Sequence, residues 1–160
     1  MASLPPPVLL SLLQSEVQAM GEFVTILKRE QELLTRGETD PLPELAESKG
    51  PLVARLNGLD NQRSQLLNAA GLGADSAGME AWLRQHPQEF ACQAAWARLK
   101  DVVTEARELN QLNGKLINLR MQHNNQALSA LISASGQNNT LYGPDGQPAQ
   151  LSGRRIIDAA

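Results

Sequence analysis

The feature that most constrains this fold is an uninterrupted, proline-free helical pattern over about residues 88–134. At a rise of about 1.5 Å per residue, one helix over this range would be roughly 65–70 Å long, about twice what a compact domain of this size needs. Such an excess of helix length indicates a surface that serves a partner.

The composition favours helices and argues against a nucleic-acid partner and against membrane insertion. Apolar residues make up 42% of the 160 residues and aromatic residues only 3%, and the β-branched runs typical of strands are missing. A formal net charge of −3 would not attract a polyanion, so we expect no nucleic-acid partner. The apolar run at residues 8–13 follows no Lys or Arg and is far too short to span a bilayer, so we expect neither a signal peptide nor membrane insertion.

Proline and glycine divide the chain into four predicted helices, at about 5–36, 41–70, 76–85 and 88–134. Leucines at 4-3 spacing and a short turn predict that the first two helices pair antiparallel. We therefore expect an all-α fold, an antiparallel helical hairpin or bundle over 1–135 with one very long C-terminal helix, and a flexible tail over 136–160. Gly50-Pro51 predicts a kink or break in the second helix, because an interior proline costs about 3 kcal/mol.

Two apolar stripes run along the long helix on a 100° wheel. The stripe predicted to be core holds Trp96, Leu99, Val103, Ala106, Ile117, Met121, Leu128, Leu131 and Ile132. A second stripe, about 120° away, is either covered by a third helix or forms an interaction groove; it holds Leu109, Leu112, Leu116 and Leu119. Gly114 beside it indicates close helix packing or room for a guest backbone. Several poor helix formers are either solvated or in contact with a partner: Asn110, Asn113, Asn118, Asn124 and Asn125.

The sequence offers no pattern for catalysis, metal binding or a cofactor. His86 and His123 lie in different segments, and neither follows a Glu by three residues as a di-iron bundle requires. Cys92 stands among alanines and leucines, which predicts a small buried apolar group in a reducing compartment. We therefore expect a cytoplasmic protein that is not an enzyme.

Two segments carry a recognisable pattern. Residues 110–117 read Asn-Gln-Leu-Asn-Gly-Lys-Leu-Ile, and Leu141-Tyr142 follows in the tail. The N-terminal half adds Leu12, Leu13, Glu16, Phe23, Leu27, Glu30, Leu33, Leu34, Lys49, Leu52, Leu56, Leu59, Arg63, Leu66 and Leu67. Over nearly its whole length the chain resembles the FlgN family of flagellar export chaperones.

The resemblance implies a cytoplasmic chaperone that binds the terminal amphipathic helices of hook–filament junction (hook-associated) proteins. It would prevent their premature assembly and deliver them to the type III export apparatus. The substrate-binding residues that the resemblance suggests are Leu109, Leu112, Asn113, Leu116, Ile117 and Leu119. Tyr142 is the candidate for docking at the export gate, although composition alone also allows a plain disordered terminus. The alternatives are a structural coiled-coil adaptor that forms a permanent oligomer and a metal or redox bundle.

Overall fold

The fold is that of a computed structural model, which describes residues 3–138 and their side chains up to residue 135. Four helices and no strand occupy this range: α1 (Pro6–Arg36), α2 (Leu42–Ala69), α3 (Ser76–Gln85) and α4 (Phe90–Asn138). The predicted all-α fold with one very long C-terminal helix is confirmed. α4 continues to Asn138, four residues beyond the predicted end, and the remainder of the predicted flexible tail lies outside the described residues.

Glycine ends the first two helices. Gly37 and Gly71 have φ values of 78° and 76°, a left-handed conformation that a residue with a Cβ adopts at a steric cost. Beyond Gly37, the Glu38 amide donates to the Leu33 carbonyl at 3.0 Å, and the equivalent bond beyond Gly71 measures 2.9 Å. Both ends are therefore Schellman motifs, which satisfy the last carbonyls of a helix and turn the chain sharply.

α1 and α2 form the predicted antiparallel hairpin. Glu16 pairs with Arg63, whereas Glu30, in the last quarter of α1, pairs with Lys49 near the start of α2. Residues with higher numbers in α1 thus pair with residues with lower numbers in α2, which is the pattern of antiparallel helices.

A kink or a break was predicted in α2; the break is wrong, because the helix runs through Pro51 without interruption, and the kink stays a prediction. Gly50 and Pro51 are both exposed. The carbonyl of Glu47, which would receive the missing amide proton, also belongs to an exposed residue and can be hydrated. The proline therefore removes one backbone hydrogen bond from α2 without ending the helix.

Two compact units divide the chain, residues 1–116 and residues 117–160. In the first, α4 runs parallel to α1: Cys92 Sγ lies 3.7 Å from the Pro6 carbonyl, and Asn113 Nδ2 lies 2.9 Å from the Leu27 carbonyl. The main apolar cluster of this unit draws on all four helices and contains Leu4, Leu9, Leu13, Leu67, Met79, Trp82, Leu83, Cys92, Trp96 and Leu99. A smaller cluster joins α1 to α4 and contains Val24, Leu27, Val102 and Ala106.

Candidate interaction surface

The predicted contact residue Asn113 lies inside the first unit. Its exposed fraction is 1%, and its Nδ2 donates to the Leu27 carbonyl and to Glu30 Oε1, both at 2.9 Å. Glu30 in turn accepts from Lys49 of α2. Asn113 thus links α4 to the hairpin, because a buried amide is stable only where its donors are satisfied. As a correction to the sequence analysis, it is a structural residue and does not reach the surface.

A second buried polar group, Glu16, joins the same three helices. Both of its carboxylate oxygens accept from Arg63 Nε at 3.1 Å, and the Arg63 guanidinium lies 5.2 Å from the centre of the Trp96 ring. Burial raises the pKa of the Glu16 carboxyl, and pairing with Arg63 opposes that rise. This polar bridge therefore belongs to the interior and contributes nothing to the surface.

The other predicted contact residues of the first unit are partly covered. Leu109 is half-buried against the cluster that contains Val24 and Leu27. Leu116 is also half-buried, whereas Leu112 remains 44% exposed. Of this part of the second stripe, Leu109 is therefore covered by α1.

Gly114 does not mark a close helix contact. A Cβ atom built there would meet nothing within 4 Å. The packing interpretation of this glycine is therefore wrong for the described residues, and the space beside it is open.

The second unit presents apolar side chains to solvent. Every residue from Met121 to Ser135 is exposed, although four of them belong to the stripe that was predicted to be core. Their exposed fractions are 57% for Met121, 57% for Leu128, 68% for Leu131 and 59% for Ile132. The prediction of a core face is wrong for this part of α4.

Ile117 joins these four residues on one side of the helix. At 100° per residue, Ile117, Met121, Leu128, Leu131 and Ile132 fall within about 100° of arc. We call these five residues the distal apolar face. Leu119 is 61% exposed but lies about 160° from the face, so a single bound helix cannot cover both.

Of the five residues of the distal apolar face only Ile117 was among the predicted contacts, because periodicity shows which residues share a side of a helix and not what covers that side. The lengths of the helices could have shown that part of α4 has no covering helix. α4 has 49 residues and α1 has 31, so a parallel pair leaves part of the longer helix without α1 residues beside it.

The described residues show no arrangement suited to chemistry. They contain no group of three or more His, Cys, Asp or Glu side chains that could hold a metal ion. His86 stacks on Trp82 with 4.1 Å between ring centres, and its Nδ1 lies 2.8 Å from the Trp82 carbonyl. Cys92 is buried as predicted, and burial raises the pKa of its thiol, which opposes formation of the reactive thiolate.

Two further predictions concern membrane insertion and the C-terminal tail. None of the helices in residues 3–138 is long and apolar enough to cross a membrane. Tyr142, the predicted docking residue, lies outside the described residues, so its role stays a prediction.

Comparison with known proteins gives consistent matches along the chain. A family profile described as FlgN protein matches residues 7–150. The flagella synthesis protein FlgN of Proteus mirabilis is 30% identical over 148 residues, which cover 90% of this chain and 93% of that protein. The protein of the same name from Yersinia enterocolitica is 29% identical over 148 residues, with coverage of 90% and 92%. That from Salmonella typhimurium is 28% identical over 138 residues, with coverage of 85% and 86%.

A solved structure supports the fold independently. A Pseudomonas aeruginosa chain assigned as a flagella synthesis protein superposes with a TM-score of 0.63 at 24% identity. The alignment covers 70% of this chain and 88% of the solved chain. At that identity the likeness concerns the helical fold alone.

Proposed function

This chain belongs to the FlgN family of flagella synthesis proteins, and from that premise we propose that it is a cytoplasmic chaperone of flagellar type III export. Its clients are the hook–filament junction (hook-associated) proteins, whose terminal amphipathic helices would otherwise associate too early. The chaperone covers such a helix, keeps the client from assembling and delivers it to the export apparatus.

The observation that supports this proposal most directly is the distal apolar face. Five large apolar side chains on one side of α4 are exposed to water, which is costly unless they have a use. An amphipathic client helix can lie along this side of α4 and bury its own apolar stripe at the same time. The proposed contact is therefore a helix against a helix.

The size of the face fits reversible binding. Full burial of a Leu, Ile or Met side chain contributes roughly 1.5–3 kcal/mol, and each of these side chains is already partly shielded by its own helix. Five such residues offset an association cost that is itself about 4–15 kcal/mol. Because the client helix buries its own apolar stripe as well, a net of about −8 kcal/mol, which is a micromolar dissociation constant, is within reach, and binding of that order lets a delivery chaperone release its client.

Two double variants test the proposal, one with its substitutions on the distal apolar face and one with them on the opposite side of α4. Leu128→Asp with Leu131→Asp puts two charges on the face, and the matched control, Ala130→Asp with Ser133→Asp, puts the same charges at the same spacing on the other side of α4. With a purified hook–filament junction protein, we expect the first variant to lose binding at least about 100-fold and the control to stay within about threefold of wild type. Equal binding by the two variants would refute the proposed surface.

Two parts of the proposal rest on the family resemblance. Tyr142 is the proposed contact with the export gate, and Tyr142→Ala should abolish export of the client while its binding persists. The predicted client contacts Leu112 and Leu119 are 44% and 61% exposed, and their part in client binding stays a proposal that rests on the resemblance.

The alternative function, a coiled-coil adaptor in a permanent oligomer, would use the same face. Its signature is a melting temperature that rises with protein concentration in the absence of any client. A melting temperature that is constant over a hundredfold range of concentration favours the chaperone.

A further inference from the structure

The first three-quarters of α2 are held to the fold by little apolar packing. Every residue in 42–62 is exposed or half-buried, and the buried residues of this helix are Arg63 and Leu67, near its C-terminal end. α1, by comparison, buries ten of its residues. Since the burial of apolar side chains is the main source of stability, residues 42–62 are weakly stabilised where they lie.

The same segment has a low intrinsic preference for the helix. It contains Gly50, Pro51 and Gly58, which belong to the two residue types that favour a helix least. Nothing lies within 4 Å of a Cβ atom built at Gly50 or at Gly58, so close packing explains neither glycine. Residues 42–62 thus combine weak packing with weak helix propensity, whereas the two buried side chains anchor the last turns of α2.

Two ion pairs join this segment to α1. Lys49 donates to Glu30 in a pair that is largely shielded from water, whereas the Arg55 guanidinium lies 3.7 Å from the Glu22 carboxylate in an exposed pair. An exposed ion pair contributes little to stability. The Lys49–Glu30 pair is therefore the stronger of the two ionic contacts that keep residues 42–62 on α1.

One side of α1 lies beneath this part of α2. It carries three apolar residues at seven-residue spacing: Ala19, Ile26 and Leu33. On a 100° wheel they are centred about 100° from Leu27, which packs against α4. Leu33 is buried and lines one depression with Leu45 of α2. Separation of residues 42–62 from α1 would expose this side of α1 and leave the contacts between α1 and α4 in place.

From these observations we propose that residues 42–62 form a displaceable cover on α1, with the Lys49–Glu30 pair as its latch. The cover opens while the last turns of α2 and the rest of the first unit stay folded. In the open state the side of α1 that carries Ala19, Ile26 and Leu33 faces water. The protein thus has a closed major state and an open minor state, and only the open state presents this apolar side of α1.

Two glycine substitutions distinguish this local opening from unfolding of the whole protein. Gly58→Ala in α2 and Gly21→Ala in α1 each add a methyl group where nothing lies within 4 Å, and each favours its helix by a similar amount. Amide hydrogen exchange is measured on the full-length protein at pH 7, where it reports the opening equilibrium. Gly58→Ala should slow exchange in 42–62 about fivefold, whereas Gly21→Ala should leave exchange in that segment unchanged.

Equal slowing of 42–62 by the two variants would mean that this segment opens only when the whole protein unfolds, and the cover would be refuted. The latch is tested in the same experiment. Lys49→Met should speed exchange in 42–62 about tenfold, and the matched control Arg55→Met, which removes the exposed pair, should change it by less than about twofold. Equal effects of these two variants would refute the role of the Lys49–Glu30 pair as the latch.

Labelling with a thiol reagent tests whether the opening uncovers α1. In a Cys92→Ala background, Leu33→Cys places a thiol on the side beneath α2 and Leu27→Cys places one on the side packed against α4. Each rate is corrected for the variant's own free energy of unfolding, because both substitutions weaken the core. Leu33→Cys should then react at least about tenfold faster than Leu27→Cys. Equal corrected rates would refute the uncovering of α1, and neither result depends on a client.

Discussion

At the residue scale, Asn113 shows how one side chain fixes the position of a helix. It is buried, and its amide donates to the backbone of α1 and to the Glu30 carboxylate. Leucine residues alone would allow α4 to slide along α1 by a turn, because apolar contacts have no direction. The two hydrogen bonds permit one position only.

Asn113→Asp should therefore destabilise the fold strongly. The substitution removes both donated hydrogen bonds and puts a second carboxylate beside Glu30, so we expect the free energy of unfolding to fall by about 3 kcal/mol or more. The control, Asn118→Asp, changes an exposed position of the same helix and should stay within about 0.5 kcal/mol. Urea denaturation at pH 7 measures both, and equal effects would contradict the role given to Asn113.

Gly78 occupies a position that has no room for a side chain. A Cβ atom there would lie 1.6 Å from the Gly73 carbonyl oxygen, in the loop that precedes α3. The backbone would have to move, so Gly78→Ala should lower the free energy of unfolding by about 2 kcal/mol or more. Gly58→Ala is the contrasting variant: nothing lies within 4 Å of its Cβ position, and we expect a gain of about 0.5–1 kcal/mol from helix propensity. Thermal melts of the two variants should therefore shift in opposite directions.

At the scale of the elements, α2 is the helix whose sequence most clearly opposes helix formation. It contains Pro51 in its interior and remains continuous. Pro51→Ala restores one backbone hydrogen bond and should raise the free energy of unfolding by about 2 kcal/mol. Pro7→Ala is the control, because Pro7 lies in the first turn of α1, where an amide has no helical partner. A similar gain in both variants would show that the interior position of Pro51 is not the cause.

The contact between α3 and α4 should depend on pH through Glu80. One of its carboxylate oxygens accepts from Trp96 Nε1 at 2.8 Å and from Lys100 Nζ at 3.0 Å, and these bonds lower the pKa of the carboxyl. A group whose pKa is lower in the folded state contributes stability above its unfolded value of 4.5, and that contribution is lost as the pH falls through the folded pKa.

Glu80→Gln tests this dependence, since glutamine keeps an acceptor for Trp96 but does not ionise. The wild-type protein should be the more stable of the two at pH 6, and its advantage should shrink as the pH is lowered from 4.5 toward 3. Urea denaturation at several pH values measures the difference. An advantage that stays constant over this range would contradict the assignment.

At the scale of the whole molecule, the sequence predicted the elements better than their contacts. Proline, glycine and leucine spacing predicted all four helices, because these signals act within a few residues. They could not predict that Asn113 is buried or that Leu128 and Leu131 are exposed. Those outcomes depend on which helix lies opposite, and a 3.6-residue period contains no information on partners.

Hydrogen exchange with and without a hook–filament junction protein is the most direct test of the central claim, that the client covers α4 over residues 117–132. We predict that amide exchange in this segment slows markedly in the complex, since an exposed helix that gains a partner opens less often. Exchange in α2 should be nearly unchanged. Unchanged exchange over 117–132, with new protection confined to α1, α2 or α3, would contradict the claim.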